Sequence, residues 1–361
     1  MTQRIAILTG GGDSASLNAV IRAVTKHAIL GQGWEVIGFE HGFRGLVENR
    51  TRPLDMAAVR GILARGGTIL GASARSNPFR YPVEMNGRVE PRDLSERALA
   101  NLTSLGVSAL VVVGGDGTMD IAAKLGQRGA RVVGVPKTID NDLPVTDSTC
   151  GYPTAVEVAT QALDRLHTTA ESHDRVMLCE VMGRNAGWIA LEAGLAGGAH
   201  VILIPEIPYR LERIAAAIEE RRRQRITYAL VVVAEGARRD GGAPAVARPG
   251  DPTRLEKLGG AADRLAGELG SCLGEVDVRV TVLGHIQRGG TPTAGDRILA
   301  TRCGVAAVDL IAAGNLGRMV VLRGREIGSV PMTEVCRGTK LVDPAGELVR
   351  TARSLGVELG G

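Results

Sequence analysis

The chain has 361 residues, enough for two moderate domains, and a hydrophobic content of 44% allows each a core of its own. Aromatic residues make up only 2%, so packing rests on Val, Ile, Leu and Ala, and no aromatic-and-basic platform for stacking bases is visible. A net charge of +4 marks a mildly basic protein rather than a nucleic-acid binder, and 49 glycines without a repeat period exclude collagen and indicate many tight turns.

In chain order, residues 4–8 form a strand-length apolar run that leads into Gly10-Gly11-Gly12-Asp13. Residues 17–29 follow as an amphipathic helix, with Leu17, Val20, Ile21, Val24 and Ala28 on one face. A glycine turn between a strand and a helix offers N–H groups to an anion where the helix favours negative charge. Alone, the turn is equally an ordinary connection, and it is not a Walker loop, because no Gly-Lys-Ser/Thr follows. Further strand candidates are 35–39, 109–113, 132–135, 175–179, 201–204, 228–234, 279–283 and 319–322, with helical stretches between them, notably 210–224 and 294–313. This alternation predicts an α/β protein: two domains with mostly parallel sheets flanked by helices. Residues 236–260, rich in Gly, Pro, Arg and Asp, are predicted to begin as a surface loop.

Two runs carry the chemistry: Gly114-Gly115-Asp116-Gly117-Thr118 and Pro136-Lys137-Thr138-Ile139-Asp140-Asn141-Asp142. Each follows a buried-strand pattern, so glycine backbone and three carboxylates sit at strand C-termini, where open α/β sheets bind ligands. Glycines let N–H groups approach phosphate oxygens; carboxylates hold Mg²⁺ or take a proton from an attacking hydroxyl. The combination points to phosphoryl transfer and raises the phosphate reading of the first turn.

Five cysteines, Cys150, Cys179, Cys272, Cys303 and Cys336, lack metal-ligand spacing; most lie in apolar surroundings, so buried, reduced thiols of a cytoplasmic protein are expected. The opening run reads as a strand rather than a leader, and no apolar run reaches membrane-spanning length. His285 has no His or Cys at ligand spacing, and His167 and His173 are out of register for a shared ion, so zinc is not expected.

Together with Gly66-Gly67-Thr68-Ile69-Leu70-Gly71, Ser172-His173-Asp174-Arg175, Glu180-Val181-Met182-Gly183-Arg184, Ala234-Glu235-Gly236 and Leu283-Gly284-His285-Ile286-Gln287-Arg288-Gly289-Gly290, these blocks resemble the phosphofructokinase family, in its order, over roughly residues 4–310. The resemblance implies ATP- and Mg²⁺-dependent phosphorylation of the 1-hydroxyl of fructose 6-phosphate. It implies Asp140 as the base, Thr138 as a donor to the moving phosphoryl group, Asp116 as the Mg²⁺ carboxylate and Asp142 as support for metal or substrate. Arg184 matches the transition-state arginine; Arg175, Arg279, His285 and Arg288 match the cradle for the 6-phosphate. Met182, Gly183 and Glu235 match the sugar-contacting blocks, while Gly12, Arg75, Gly115, Asp116, Gly117 and Thr118 match the donor side, Gly12 also standing in the catalytic set. The family places Arg175 and Arg279 in a neighbouring subunit's site, which implies a dimer or tetramer with shared sites. It further implies a donor domain near 1–150 plus 287–340 and a sugar domain near 151–286 plus 341–361.

The chain departs from the family pattern in places. Ser14-Ala15-Ser16 stands where a Pro-Gly pair is usual, Tyr152-Pro153 replaces Phe-Asp before Thr154, and the stretch around Arg75 is altered. His167 and His200 occupy positions that in bacterial members carry Arg and Glu near the effector residues matched by Arg22 and Lys26, so effector control in the usual form is not expected. Gly117 and Lys137 are the donor-determining pair: Gly117 leaves room for a nucleotide, Lys137 is shared with pyrophosphate enzymes, and ATP is favoured. The alternatives are pyrophosphate as donor, sedoheptulose 7-phosphate as acceptor, or a sugar-phosphate-binding relative with weakened catalysis.

Overall fold

Parallel strands covered on both faces need continuous apolar runs rather than alternation, and the chain supplies them: Ile5-Ala6-Ile7-Leu8, Val111-Val112-Val113 and Leu230-Val231-Val232-Val233 are all buried. The computed structural model describes residues 2–85, 87–248, 256–274 and 276–361. In chain order its strands are β1 (Arg4–Thr9), β2 (Glu35–Phe39), β3 (Thr51–Pro53), β4 (Tyr81–Met85), β5 (Arg88–Arg92), β6 (Val107–Gly114), β7 (Val132–Thr138), β8 (Cys150–Gly151), β9 (Val176–Val181), β10 (Val201–Leu203), β11 (Ala229–Ala234), β12 (Val246–Arg248), β13 (Lys257–Leu258), β14 (Val278–Val282), β15 (Arg318–Arg323) and β16 (Glu326–Pro331). The α-helices are α1 (Leu17–Gln32), α2 (Phe43–Glu48), α3 (Ser95–Ser104), α4 (Asp116–Gln127), α5 (Tyr152–Ser172), α6 (Trp188–Ala196), α7 (Leu211–Arg223), α8 (Ala261–Cys272), α9 (Ala294–Ala312), α10 (Met332–Val335) and α11 (Glu347–Ser354).

These elements form two units, neither contiguous in the chain. The first comprises Met1–Ile139, Leu143–Thr154 and Arg288–Gly338; the second comprises Asp140–Asp142, Ala155–Gln287 and Thr339–Gly361. Among the described residues, the first unit holds an eight-stranded sheet in the order β16-β15-β7-β6-β1-β2-β3, with β8 paired to β7. Its pairs are parallel except β2–β3 and β15–β16. Alternation along β1 divides its side chains between two cores. Ile5 and Ile7 pack with α1 and α9, while Ala6 and Leu8 pack with α2, α3 and α4. The α1–α9 contact is close, because a Cβ on Gly304 would lie 2.7 Å from the Ala23 Cβ.

The second unit holds a parallel sheet in the order β10-β11-β9-β14. Val176, Leu178, Val231 and Val233 face α7 and α8 through Ile214, Ile218, Leu265 and Leu269. Burying each such side chain contributes about 1.5–3 kcal/mol.

The chain departs from its expected elements in several ways, the added strands β3, β8 and β16 among them. Strand β7 runs on to Thr138 instead of ending at 135, because β8 pairs with it, Lys137 opposite Cys150 and Thr138 opposite Gly151. The antiparallel hairpin β4–β5 was not anticipated. The 236–260 segment contains a second hairpin, β12–β13, with 249–255 outside the described residues. The cysteines are free thiols, but only Cys150, Cys179 and Cys303 are buried; Cys272 and Cys336 are exposed, lying at or beyond helix ends rather than in the cores. No helix among the described residues is long and apolar enough to cross a membrane.

Candidate active site

In the first unit, β1 leads through α1 to β2 on one side, while β6 lies against its other side. The strand order therefore reverses between β1 and β6, and a doubly wound sheet opens a crevice at the C-terminal ends of such a pair. The two glycine turns sit there. Gly10 donates its N–H to Val113 O at 2.9 Å, tying the end of β1 to the end of β6. Gly11 adopts φ +74°, a left-handed conformation that a side chain disfavours. The Thr118 side chain lies under both turns: a Cβ on Gly10 would meet its Cγ2 at 2.7 Å, and one on Gly114 would meet it at 2.3 Å. Only glycine fits at these two places.

Gly115 caps α4, whose first turn contains Asp116 and Gly117. Both are exposed, and Asp116 Oδ1 accepts the Gly117 N–H at 2.6 Å. A Cβ on Gly117 would meet nothing within 4 Å. Lys137 is buried, and its Nζ donates to Gly10 O at 3.0 Å and to Gly12 O. Arg288 donates from Nη1 to Asp13 O at 3.1 Å, with its guanidinium against Gly12. The family resemblance matches Arg288 to the sugar-phosphate cradle; its guanidinium here rests on the glycine turn of the first unit. Arg75 is exposed on the segment whose Ser73 O accepts the Gly11 N–H at 3.3 Å. Thr138 ends β7, two residues before Asp140.

In the second unit, Asn141 has φ +51° between Asp140 and Asp142, and Asp142 O accepts the Lys340 N–H at 2.8 Å. Met182, Gly183 and Arg184 follow β9, and Glu235 follows β11, its N–H donating to Val181 O at 2.9 Å. The two blocks interlock: Gly236 donates to Gly183 O at 3.1 Å, and a Cβ on Gly236 would lie 2.1 Å from Arg184 O. Gly183, at φ +141°, would also press a Cβ to 2.8 Å from Ala186 O. Arg184 donates to Glu256 O at 2.6 Å, and His285 is exposed in the turn Gly284–Arg288.

Arg175 and Arg279 lie elsewhere. Arg175 precedes β9, whereas Met182 follows it, so seven residues of extended backbone, roughly 23 Å, separate them. Arg279, on the neighbouring β14, pairs with Met177 near the same end as Arg175. Both guanidiniums bond Asp277, Arg175 Nε at 2.8 Å and Arg279 Nε at 2.9 Å, and these cations hold its carboxyl below the usual range.

Sequence reading passed over four residues. Asp277 was detectable as an acid two positions before Arg279 on an edge strand. Glu256 lies in a segment without periodicity. Gln287, whose Oε1 accepts the Met182 N–H at 3.3 Å, stands among the glycines and cations of the 283–290 block, which draw the eye first. Asp296, fully buried, accepts from Gly151 N at 3.0 Å and Thr154 Oγ1 at 2.5 Å, fixing the altered Tyr152-Pro153 stretch; burial pushes its carboxyl up. Among the described residues no group of three or more His, Cys, Asp or Glu could hold a metal ion.

A doubly wound sheet with two glycine turns meeting at its reversal point has the form of a phosphate-binding α/β protein. The phosphofructokinase family model matches residues 4–311. The chain is 53% identical over 360 residues to ATP-dependent 6-phosphofructokinase 2 of Clostridium perfringens, covering 98% of both chains. It is 51% identical over 343 residues to pyrophosphate–fructose 6-phosphate 1-phosphotransferase of Amycolatopsis methanolica, covering 94% of this chain and 96% of that one. The solved T-state phosphofructokinase of Pichia pastoris superposes with a TM-score of 0.79 at 33% identity, over 93% of this chain and 35% of that longer one. The chain belongs to the phosphofructokinase family.

His167, His200 and Tyr228 form an aromatic cluster, with ring centroids 5.3–6.4 Å apart. His200 Nδ1 accepts the Leu230 N–H at 2.9 Å. Burial, then the Arg221 charge and His167, push His200 down from 6.5 to about 4. The native state thus resists a proton that the unfolded chain accepts: this stability is complete above 6.5 and is lost as pH falls towards 4. With its residual solvent exposure discounted, wild type should lose on the order of 1 kcal/mol more than His200→Asn between pH 7 and pH 5. Urea-unfolding midpoints at the two pH values measure this, and equal losses would remove His200 from the acid response.

Proposed function

We propose that this chain transfers the γ-phosphoryl group of ATP to the 1-hydroxyl of fructose 6-phosphate. One observation carries the reading: two glycine turns meet at a strand-order reversal, with Asp116 opening α4, in a chain matched end to end by an ATP-dependent 6-phosphofructokinase. Gly12, Gly115, Gly117, Thr118 and Arg75, all of the first unit, take the donor phosphates. Asp116 fits a Mg²⁺ ion that arrives with the nucleotide, because that ion keeps its waters and takes one or two carboxylates plus phosphate oxygens. A three-residue cage is therefore not required. Bound there, the ion neutralises charge on the phosphate chain.

Asp140 accepts the proton of the sugar's 1-hydroxyl, and Asp142 supports the same segment. Thr138 donates to the moving phosphoryl group, and the Arg184 guanidinium stabilises its spreading charge. Arg184 must exchange its Glu256 partner for phosphate oxygens to do so. Met182, Gly183 and Glu235 contact the sugar; Arg175, Arg279 and His285 take the 6-phosphate, and Arg288, with one Nη1 donor on Asp13 O, serves it through its remaining N–H donors. The separation of roughly 23 Å along β9 keeps Arg175 from sharing one phosphosugar with Met182 of its own chain. This supports a homo-oligomer in which Arg175 and Arg279 serve a neighbour's site. Pyrophosphate as donor is the second reading, favoured by the 51% identity to a pyrophosphate-named relative.

Asp140→Asn keeps shape but removes the proton acceptor, and turnover should fall roughly 10²–10⁴-fold with little change in sugar affinity. Near-normal steady-state turnover would take the base role from Asp140. Gly117→Asp places a carboxylate in open space beside the donor, so ATP should suffer far more than pyrophosphate. Equal losses with the two donors would show that the position does not discriminate, and wild-type activity with pyrophosphate alone would overturn the ATP assignment. Mixing Asp140→Asn with Arg279→Ala under subunit exchange should restore part of the activity, since some hybrid sites escape both changes. Demonstrated exchange without recovery would place Arg279 within its own chain's function.

A further inference from the structure

Lys137 is 3% exposed, an unusual place for an ammonium group unless its donors are satisfied. It belongs to β7, and β6 lies between β7 and β1, so two interstrand spacings, roughly 9–10 Å, separate Lys137 from the end of β1. A long unbranched side chain spans that gap, and its Nζ reaches the carbonyls of Gly10 and Gly12. Its ammonium lies against the turn itself, 3.6 Å from where a Cβ on Gly11 would stand.

In a trans peptide the C=O and the following N–H point to opposite sides. Holding Gly10 O turns the Gly11 N–H away, and it meets Ser73 O at 3.3 Å. Holding Gly12 O turns the Asp13 N–H away from Lys137 in the same manner. Arg288 fixes the next carbonyl, Asp13 O, at 3.1 Å. Three carbonyls of one turn are thus held by two cations. The turn continues into Ser14-Ala15-Ser16, where no proline fixes φ.

We propose that Lys137 is a positioning residue for the phosphoryl donor: it straps the Gly10–Asp13 turn through its carbonyls, sets the direction of its amides, and acts on ATP and pyrophosphate alike. The proposal rests on the kinase reading above. It differs from donor selection by direct contact, which would change one donor's use against the other's.

Lys137→Met keeps the unbranched stem, one atom shorter, without donors, and Lys137→Gln keeps N–H donors at similar length without charge. Kinetics with ATP, pyrophosphate and fructose 6-phosphate are combined with hydrogen exchange of the peptide covering residues 10–16. With Lys137→Met, KM for each donor should rise by about tenfold, their ratio should hold within about threefold, and KM for fructose 6-phosphate should stay within about twofold. Exchange of the 10–16 peptide should quicken, and Lys137→Gln should recover part of both effects. A change of about tenfold in the ATP-to-pyrophosphate ratio, or unaltered exchange, overturns the strap. If Lys137→Met does not fold, Lys137→Gln carries the same comparison against wild type. If the wild-type protein phosphorylates no sugar phosphate with either donor, the kinase reading fails, and exchange of the 10–16 peptide still decides whether Lys137 holds the turn.

Discussion

The parallel pairing of β1 with β6 is the constraint from which the rest of the first unit follows. Its register sets Leu8 opposite Val112 and Thr9 opposite Val113, so both strands end at the same level. Their following turns must then occupy the same space, and the hydrogen bond from Gly10 to Val113 joins them. Because the chain leaves β1 towards β2 and returns at β6 on the other side, α1 and α4 pack on opposite faces. An accessible mouth lined by backbone amides is a consequence of topology before any catalytic side chain is added.

Close packing then restricts composition. The Thr118 side chain leaves no room for a Cβ at Gly10 or Gly114, so the turns are tight for steric reasons as well as for phosphate access. The same logic recurs in the second unit, where Gly183 and Gly236 allow the segments after β9 and β11 to touch backbone to backbone. In both units glycines bring two connections together, and polar side chains such as Asp116 and Arg184 are carried into place by them.

Much of this was legible in the sequence because burial on both faces leaves a continuous apolar signature. Val111-Val112-Val113 and Leu230-Val231-Val232-Val233 admit few other readings, and glycine turns directly after them locate the ligand end of each sheet. Strand order was not legible: nothing local in residues 107–114 states that they pair with residues 4–9. The hairpin was missed because β5 is exposed at every position and shows no apolar alternation. The length of β7 was missed because its last residues, Pro136-Lys137-Thr138, are held by a partner strand rather than by hydrophobicity. Lys137 reads in sequence as donor-determining, since only three-dimensional spacing shows its ammonium group reaching the carbonyls of the turn after β1. The Asp277 link between two arginines likewise depends on β9 and β14 lying side by side.

The discontinuity of the two units bears on how the chain matures on the ribosome. Helix α1 ends at Gln32, yet α9, which covers part of its apolar face, begins only at Ala294. At synthesis rates of roughly 5–20 residues per second, α1 waits on the order of 10–50 s for that cover. Over this interval Val20, Val24 and Ala28 depend on transient shielding, while the continuous stretch Ala155–Gln287 already holds every strand of its own parallel sheet. The middle of the chain is therefore placed to form its sheet first, while the amino-terminal sheet waits for β15 and β16.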